Sequence, residues 1–85
     1  MLESAIQSKL IKLYESRGFY CIKLIKTNKN GTPDLLLIKD GIASFVEVKS
    51  AKGVVSPLQR LRAKELRAKG CSVRFVTEGD RDVAL

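Results

Sequence analysis

The sequence contains no histidine. That absence removes Ser-His-Asp and Cys-His catalysis, every imidazole base and every Cys-His zinc site. Nuclease chemistries built on a histidine base go with them. Any hydrolysis by this chain falls to carboxylates, lysine and a hard metal ion. Cysteine is scarce: Cys21 and Cys71 are the only two, 50 residues apart. With no secretory signal at the N-terminus they read as buried, reduced thiols, and a cytoplasmic setting is expected. Long apolar runs are also missing. The longest, Leu35 to Ile38, is far too short to cross a bilayer, so no membrane partner is expected.

Negative charge is in short supply. Nine Asp and Glu stand against sixteen Lys and Arg, a net charge of +7. Such a balance favours polyanions, nucleic acid first, and makes binding depend on salt. Between Ser50 and Thr77 there are seven basic residues (Lys52, Arg60, Arg62, Lys64, Arg67, Lys69, Arg74) and one acid, Glu65. The bland reading of this block is a solvated face that confers solubility; the functional reading is a surface field for phosphates.

What is present is an ordinary globular mixture, 45% hydrophobic and 29% charged over 85 residues. A single domain spanning 1–85 is expected, with a modest core and no room for a separate specificity domain. A core this thin gains from pairing with a second copy.

Apolar residues at Leu2, Ala5, Ile6, Leu10 and Leu13 predict a helix over 2–17, stopped by Gly18. Residues 19–25 read as a strand with Tyr20, Ile22 and Leu24 on one face. Residues 26–32 are a polar loop. Residues 34–38 form a short apolar strand after Pro33, and Asp40-Gly41 is a hairpin-turn signal. The returning strand, 42–50, places Ala43, Phe45, Glu47 and Lys49 on one face and Ile42, Ser44, Val46 and Val48 on the other. Ser56 caps and Pro57 starts a second helix running to about Lys69. Its Leu58, Leu61 and Ala68 are expected on one side, with Arg60, Lys64 and Arg67 on the other. Residues 72–77 are a last strand, parallel to the one before the helix. The polar tail 78–85 is expected to form a short turn or add an edge. The fold class is α/β: helix, strand, hairpin, helix, strand, making a small mixed sheet with flanking helices.

Three charged residues fall where the hairpin should be apolar. Asp34 begins one strand, while Glu47 and Lys49 share a face of its antiparallel neighbour, near the same level. Charge placed at a strand centre is expensive without a use. Two carboxylates from adjacent strands make a hard-oxygen site suited to Mg²⁺ or Mn²⁺, and the Val48 carbonyl between Glu47 and Lys49 offers another oxygen. A lysine on the same face can orient water and stabilise charge on a phosphate. The plainer alternatives stay open. Glu47 and Lys49 also read as a solvated cross-strand pair, Asp34 as a turn residue, Gln59 as a first-turn polar residue, and Glu3 as a common first-turn glutamate.

Pro33-Asp34 followed by Glu47-Val48-Lys49 resembles the two motifs of the PD-(D/E)xK nuclease superfamily. The fuller pattern is similar to the VRR-NUC group, the virus-type replication-repair nucleases. It comprises Glu3 in the first helix, Gly31-Thr32-Pro33-Asp34-Leu35, Glu47-Val48-Lys49, and Ser56-Pro57-Leu58-Gln59. The resemblance covers nearly the whole chain and implies a restriction-endonuclease-like core. It implies Asp34, Glu47 and the Val48 carbonyl as metal ligands, with Glu3 completing the acidic cluster. It also implies Lys49 as catalytic and Gln59 as reaching the site from its helix. Activity would be that of a Mg²⁺- or Mn²⁺-dependent endodeoxyribonuclease in replication, repair or recombination. The resemblance extends to Holliday-junction resolvases of the same superfamily and so implies a homodimer acting on branched DNA. Lys26, Lys29, Arg60, Lys64 and Arg67 are the candidate phosphate contacts. A non-catalytic nucleic-acid-binding module on the same scaffold is the alternative. It fits the basic charge but gains nothing from carboxylates facing a phosphate.

Overall fold

The computed structural model describes residues 2–77; the tail expected to turn or add an edge lies outside them. The elements follow the expected order: α1 Glu3–Ser16, β1 Tyr20–Lys23, β2 Leu35–Lys39, β3 Ile42–Lys49, α2 Pro57–Ala68 and β4 Ser72–Thr77. The strands form one mixed sheet in the order β1-β2-β3-β4. β1, β2 and β3 make an antiparallel meander, and β4 returns parallel to β3 after the α2 crossover.

Helix α1 buries Ile6, Leu10 and Tyr14, spaced four apart, against Leu35, Leu37, Val46, Val48 and Val76. Tyr14 replaces the expected outer members of the stripe. Leu2 is 77% exposed and Ala5 is also exposed. The helix ends in a Schellman turn. Gly18 adopts φ +88°, its N–H donates to the Glu15 carbonyl, and the Phe19 N–H donates to the Tyr14 carbonyl. The rings of Tyr14 and Phe19 then meet edge to face at 5.7 Å.

The first strand is shorter than expected, and the face bearing Tyr20 and Ile22 is the outward one. Phe19 and Cys21 pack on the core, while Tyr20 and Ile22 look outward and Ile25 lies beyond the strand, 87% exposed. Alternation fixes which residues share a face but not which face a helix covers. The Asp40-Gly41 turn is as expected, with positive φ at both residues. Both cysteines are free and half-buried; they are not fully enclosed.

Helix α2 covers the other face at the β4 end and contacts it through Ala63, its one buried residue. The expected apolar side is only loosely packed. Leu58 and Leu61 remain 40% and 46% exposed, and Ala68 is exposed. A small residue at the centre of the contact brings the helix close, so its larger neighbours sit at the rim. Arg67 is exposed like Arg60 and Lys64 but is tethered to the sheet. Its guanidinium donates to the Val73 carbonyl at 2.6 Å and lies over the Phe75 ring.

Candidate metal and phosphate site

The C-terminal half of strand β3 is enclosed on both faces. Val46 and Val48 point to α1, while Glu47 and Lys49 point the other way and are almost as buried, at 2% and 8% exposure. The β2–β3 register pairs Leu35 with Val46, which brings Asp34, one residue earlier, to the level of Glu47. Asp34 stands just outside the strand, after buried Pro33. Its position is fixed from both sides of its backbone. Its carbonyl accepts from the Leu24 N–H at 2.8 Å, and its carboxylate accepts from the Val48 N–H at 2.9 Å.

The Val48 carbonyl follows from that bond. In an extended strand the N–H and C=O of one residue face the same side. The Val48 N–H faces Asp34, so its carbonyl oxygen also faces the Asp34 side.

Glu47 has three polar neighbours. The Lys49 ammonium lies 3.6 Å from Glu47 Oε2, and the Gln59 side-chain amide donates to the same oxygen at 3.3 Å. The third is the Asp34 carboxylate, close enough to act on Glu47 through its charge. Gln59 serves two purposes with one side chain. Its Oε1 accepts from the Ser56 N–H at 3.0 Å, closing the capping box of α2, which leaves its NH₂ directed at Glu47. Its role as an N-terminal cap residue and its reach to the site are therefore one arrangement.

Burial pushes the Glu47 carboxyl up to about 8, and the Asp34 charge pushes in the same direction. The Lys49 ammonium opposes the shift and loses, because one cation at 3.6 Å does not offset both desolvation and a second carboxylate. A buried carboxyl raised by desolvation and by a second carboxylate beside it is what a divalent cation relieves. The available donors, two carboxylates and a peptide carbonyl, are all hard oxygens. The residues present fit Mg²⁺ or Mn²⁺.

Glu3 reaches the same neighbourhood from α1. Its Oε2 accepts from the Ser50 N–H at 3.2 Å. A Cβ at Gly53 would lie 2.9 Å from Glu3 Oε2 and 3.3 Å from Lys49 Cδ. Glycine is thus the residue that lets the loop after β3 close over both. Among the described residues, no three carboxylates or thiols gather into one metal-binding group. Asp34 and Glu47 stand as a pair, with Glu3 beside Lys49. Gly53 carried no signal in the sequence, since a glycine in a polar loop has many uses.

The phosphate-contact candidates Lys26, Lys29, Arg60, Lys64 and Arg67 are all exposed. Arg67 is committed to Val73 and Phe75. Arg62, which sequence reasoning left among the general basic block, instead braces the loop before Asp34, donating from Nε to the Asn30 carbonyl at 2.8 Å.

Comparison with known proteins bears on the family and the fold. The family profile of the VRR-NUC domain matches residues 3–78. A solved structure described as a VRR_NUC domain superposes with a TM-score of 0.77 at 30% identity, covering 88% of this chain and 83% of that one. No curated protein matches.

Proposed function

The chain belongs to the VRR-NUC family, and from that premise we propose that it is a divalent-metal-dependent DNA endonuclease whose site is Asp34, Glu47 and Lys49. The observation that carries the reading is half-buried Asp34 at the level of buried Glu47, with the Lys49 ammonium 3.6 Å from Glu47. Asp34, Glu47 and the Val48 carbonyl would hold Mg²⁺ or Mn²⁺. A cation there supplies positive charge against the scissile phosphate and acidifies water for attack. Lys49 orients that water and stabilises negative charge developing on the phosphate. Gln59 holds Glu47 in place through its amide. Glu3 sets the position of Lys49 from the far side, through the loop at Ser50 and Gly53. Lys26, Lys29, Arg60 and Lys64 carry the DNA backbone.

The substrate is branched DNA, such as a four-way junction, and the working form is a homodimer. The support is an uncovered apolar part of the sheet. Tyr20, Ile22 and Ile38 are exposed on the face that also bears Glu47 and Lys49. A second copy seated there by a two-fold axis would set two sites on one basic surface and match the symmetry of a junction. Cleavage of labelled four-way, flap and linear DNA with Mg²⁺, Mn²⁺ or EDTA, run beside light scattering, tests both parts. The expected result is metal-dependent cutting of junctions by a dimer. A strict monomer that cuts linear duplex equally well contradicts the dimeric part, and cutting in EDTA contradicts the metal site.

A further inference from the structure

We propose that the cleft between the 24–34 loop and α2, lined by Lys29, Thr32, Arg62, Glu65, Leu66 and Lys69, holds one unpaired nucleotide of the substrate strand. This rests on the nuclease reading above and specifies which DNA that site receives.

The walls of the cleft are fixed. Arg62 ties the loop to the helix through the Asn30 carbonyl. Gly31, at φ +84°, is pressed so closely on α2 that a Cβ would meet Leu58 Cγ at 2.8 Å. Arg62 is pinned at a second point, where Nη1 donates to Glu65 at 2.9 Å. Its guanidinium plane is therefore oriented before any ligand arrives, and little entropy is left to lose on stacking. Guanidinium planes and apolar side chains are the surfaces on which unstacked bases rest. Leu66 provides the apolar part.

Charge sets the rest of the ligand. The Glu65 carboxylate is taken by Arg62, so Lys29 and Lys69, both exposed, determine the sign at the rim. They suit the flanking phosphates. A volume of about 340 Å³ accepts one small planar ligand with its sugar. A paired base is stacked in a duplex and does not enter. The cleft is built from the same loop and helix that carry Asp34 and Gln59. Arg62 follows Gln59 by three residues, about 4.5 Å along the helix axis, and Thr32 precedes Asp34 by two. A nucleotide seated there would be a near neighbour of the scissile phosphate.

The test is methyl NMR of the full chain in EDTA, following Leu66 and Thr32. The probes are a short oligothymidylate, the same strand with abasic sites, a blunt duplex, dAMP and inorganic phosphate. The oligothymidylate is expected to shift both methyls saturably, and dAMP to shift them more weakly. Phosphate, duplex and the abasic strand should leave Leu66 unmoved. Lys29→Ala with Lys69→Ala is expected to weaken the oligothymidylate about tenfold. Because Arg62 also braces the loop, Leu66→Trp closes the cleft independently and should abolish the Thr32 methyl shift in a chain that melts normally. Equal shifts from the blunt duplex or the abasic strand overturn the proposal, as does an oligothymidylate that leaves Leu66 unmoved. Shifts from dAMP alone assign the cleft to a free nucleotide and overturn the strand assignment. Metal and cleavage play no part in the readout, so the two readings fail separately. Asp34→Asn with full cleavage sinks the nuclease site. An unresponsive Leu66 beside a cleavage-dead Asp34→Asn sinks only the cleft.

Discussion

The two faces of strand β3, in its C-terminal half, are buried to nearly the same degree and made of opposite materials. Towards α1 it presents Val46 and Val48, both fully enclosed in an apolar cluster. Away from α1 it presents Glu47 and Lys49, enclosed against Asp34 and Gln59. The apolar face contributes stability, since each fully buried aliphatic side chain is worth roughly 1.5–3 kcal/mol. The charged face contributes none by the same reckoning and carries a carboxyl pushed up to about 8. One strand therefore supplies both the hold and the chemistry. Its two-residue period separates them without a second domain.

The largest effect expected from breaking this contrast is on the apolar side. Val46→Asp should cost more than about 3 kcal/mol and leave little folded chain, with activity lost as a consequence. Circular dichroism at room temperature checks this; a folded, inactive variant would mean that the α1 face is not the hold. Glu47→Gln should show the opposite pattern. Cleavage falls to background, while the metal-free chain melts no lower than wild type at about pH 9, because a neutral amide replaces a buried charge. DNA binding is kept or improved as a repulsive charge is removed. A melting temperature well below wild type there would assign Glu47 to the fold instead.

Lys49→Ala comes next. Its cleavage rate should drop by about 10²- to 10³-fold, as for other groups that stabilise developing charge. Calorimetric Mn²⁺ affinity should be nearly unchanged, because the ammonium is not a ligand. Collapse of metal affinity together with the rate would refute the role given to Lys49.

A smaller effect is the pH dependence. Glu47 ordinarily loses its proton near 4.5 and here keeps it to about 8. The folded metal-free chain therefore binds more protons than the unfolded one between these values. The contribution is fully present below 4.5 and is lost as pH rises through about 8, so stability declines across that window. Metal entry must expel the proton, so Mg²⁺ should raise the melting temperature more at about pH 9 than at about pH 6. Glu47→Gln should flatten the metal-free decline. A wild-type decline that survives in that variant would place the titrating group elsewhere. Least of all, removing Arg60 and Lys64 together should lower the salt slope of DNA binding by up to about two, whereas Arg67→Ala should mainly lower stability. A salt slope that falls more with Arg67→Ala than with the pair would reverse that assignment.

Much of this was legible from local pattern. The Asp40-Gly41 turn and the Ser56-Pro57 cap set element boundaries to within a residue or two. The turn in turn fixed the register that brings Asp34 level with Glu47. What was illegible depended on tertiary placement. The outward face of Tyr20 and Ile22 reflects which side α1 covers, and no strand pattern encodes that. Arg67 and Arg62 look like any other arginine of a basic helix. Only the positions of the Val73 and Asn30 carbonyls turn one into the fold and the other into a brace. The close fit of Gly53 against Glu3 and Lys49 joins residues far apart in the chain.

The central claim is that Asp34 and Glu47 form one cation site that drives hydrolysis. The most direct test is Mn²⁺ calorimetry in two buffers of different ionisation heat, on wild type, Asp34→Asn and Glu47→Gln, with cleavage of a labelled four-way junction measured on the same samples. Wild type should bind Mn²⁺ at neutral pH with release of close to one proton, and cut; each variant should lose measurable binding and cutting together. Full cutting by either variant at saturating Mn²⁺, or wild-type Mn²⁺ affinity in both, would contradict the account.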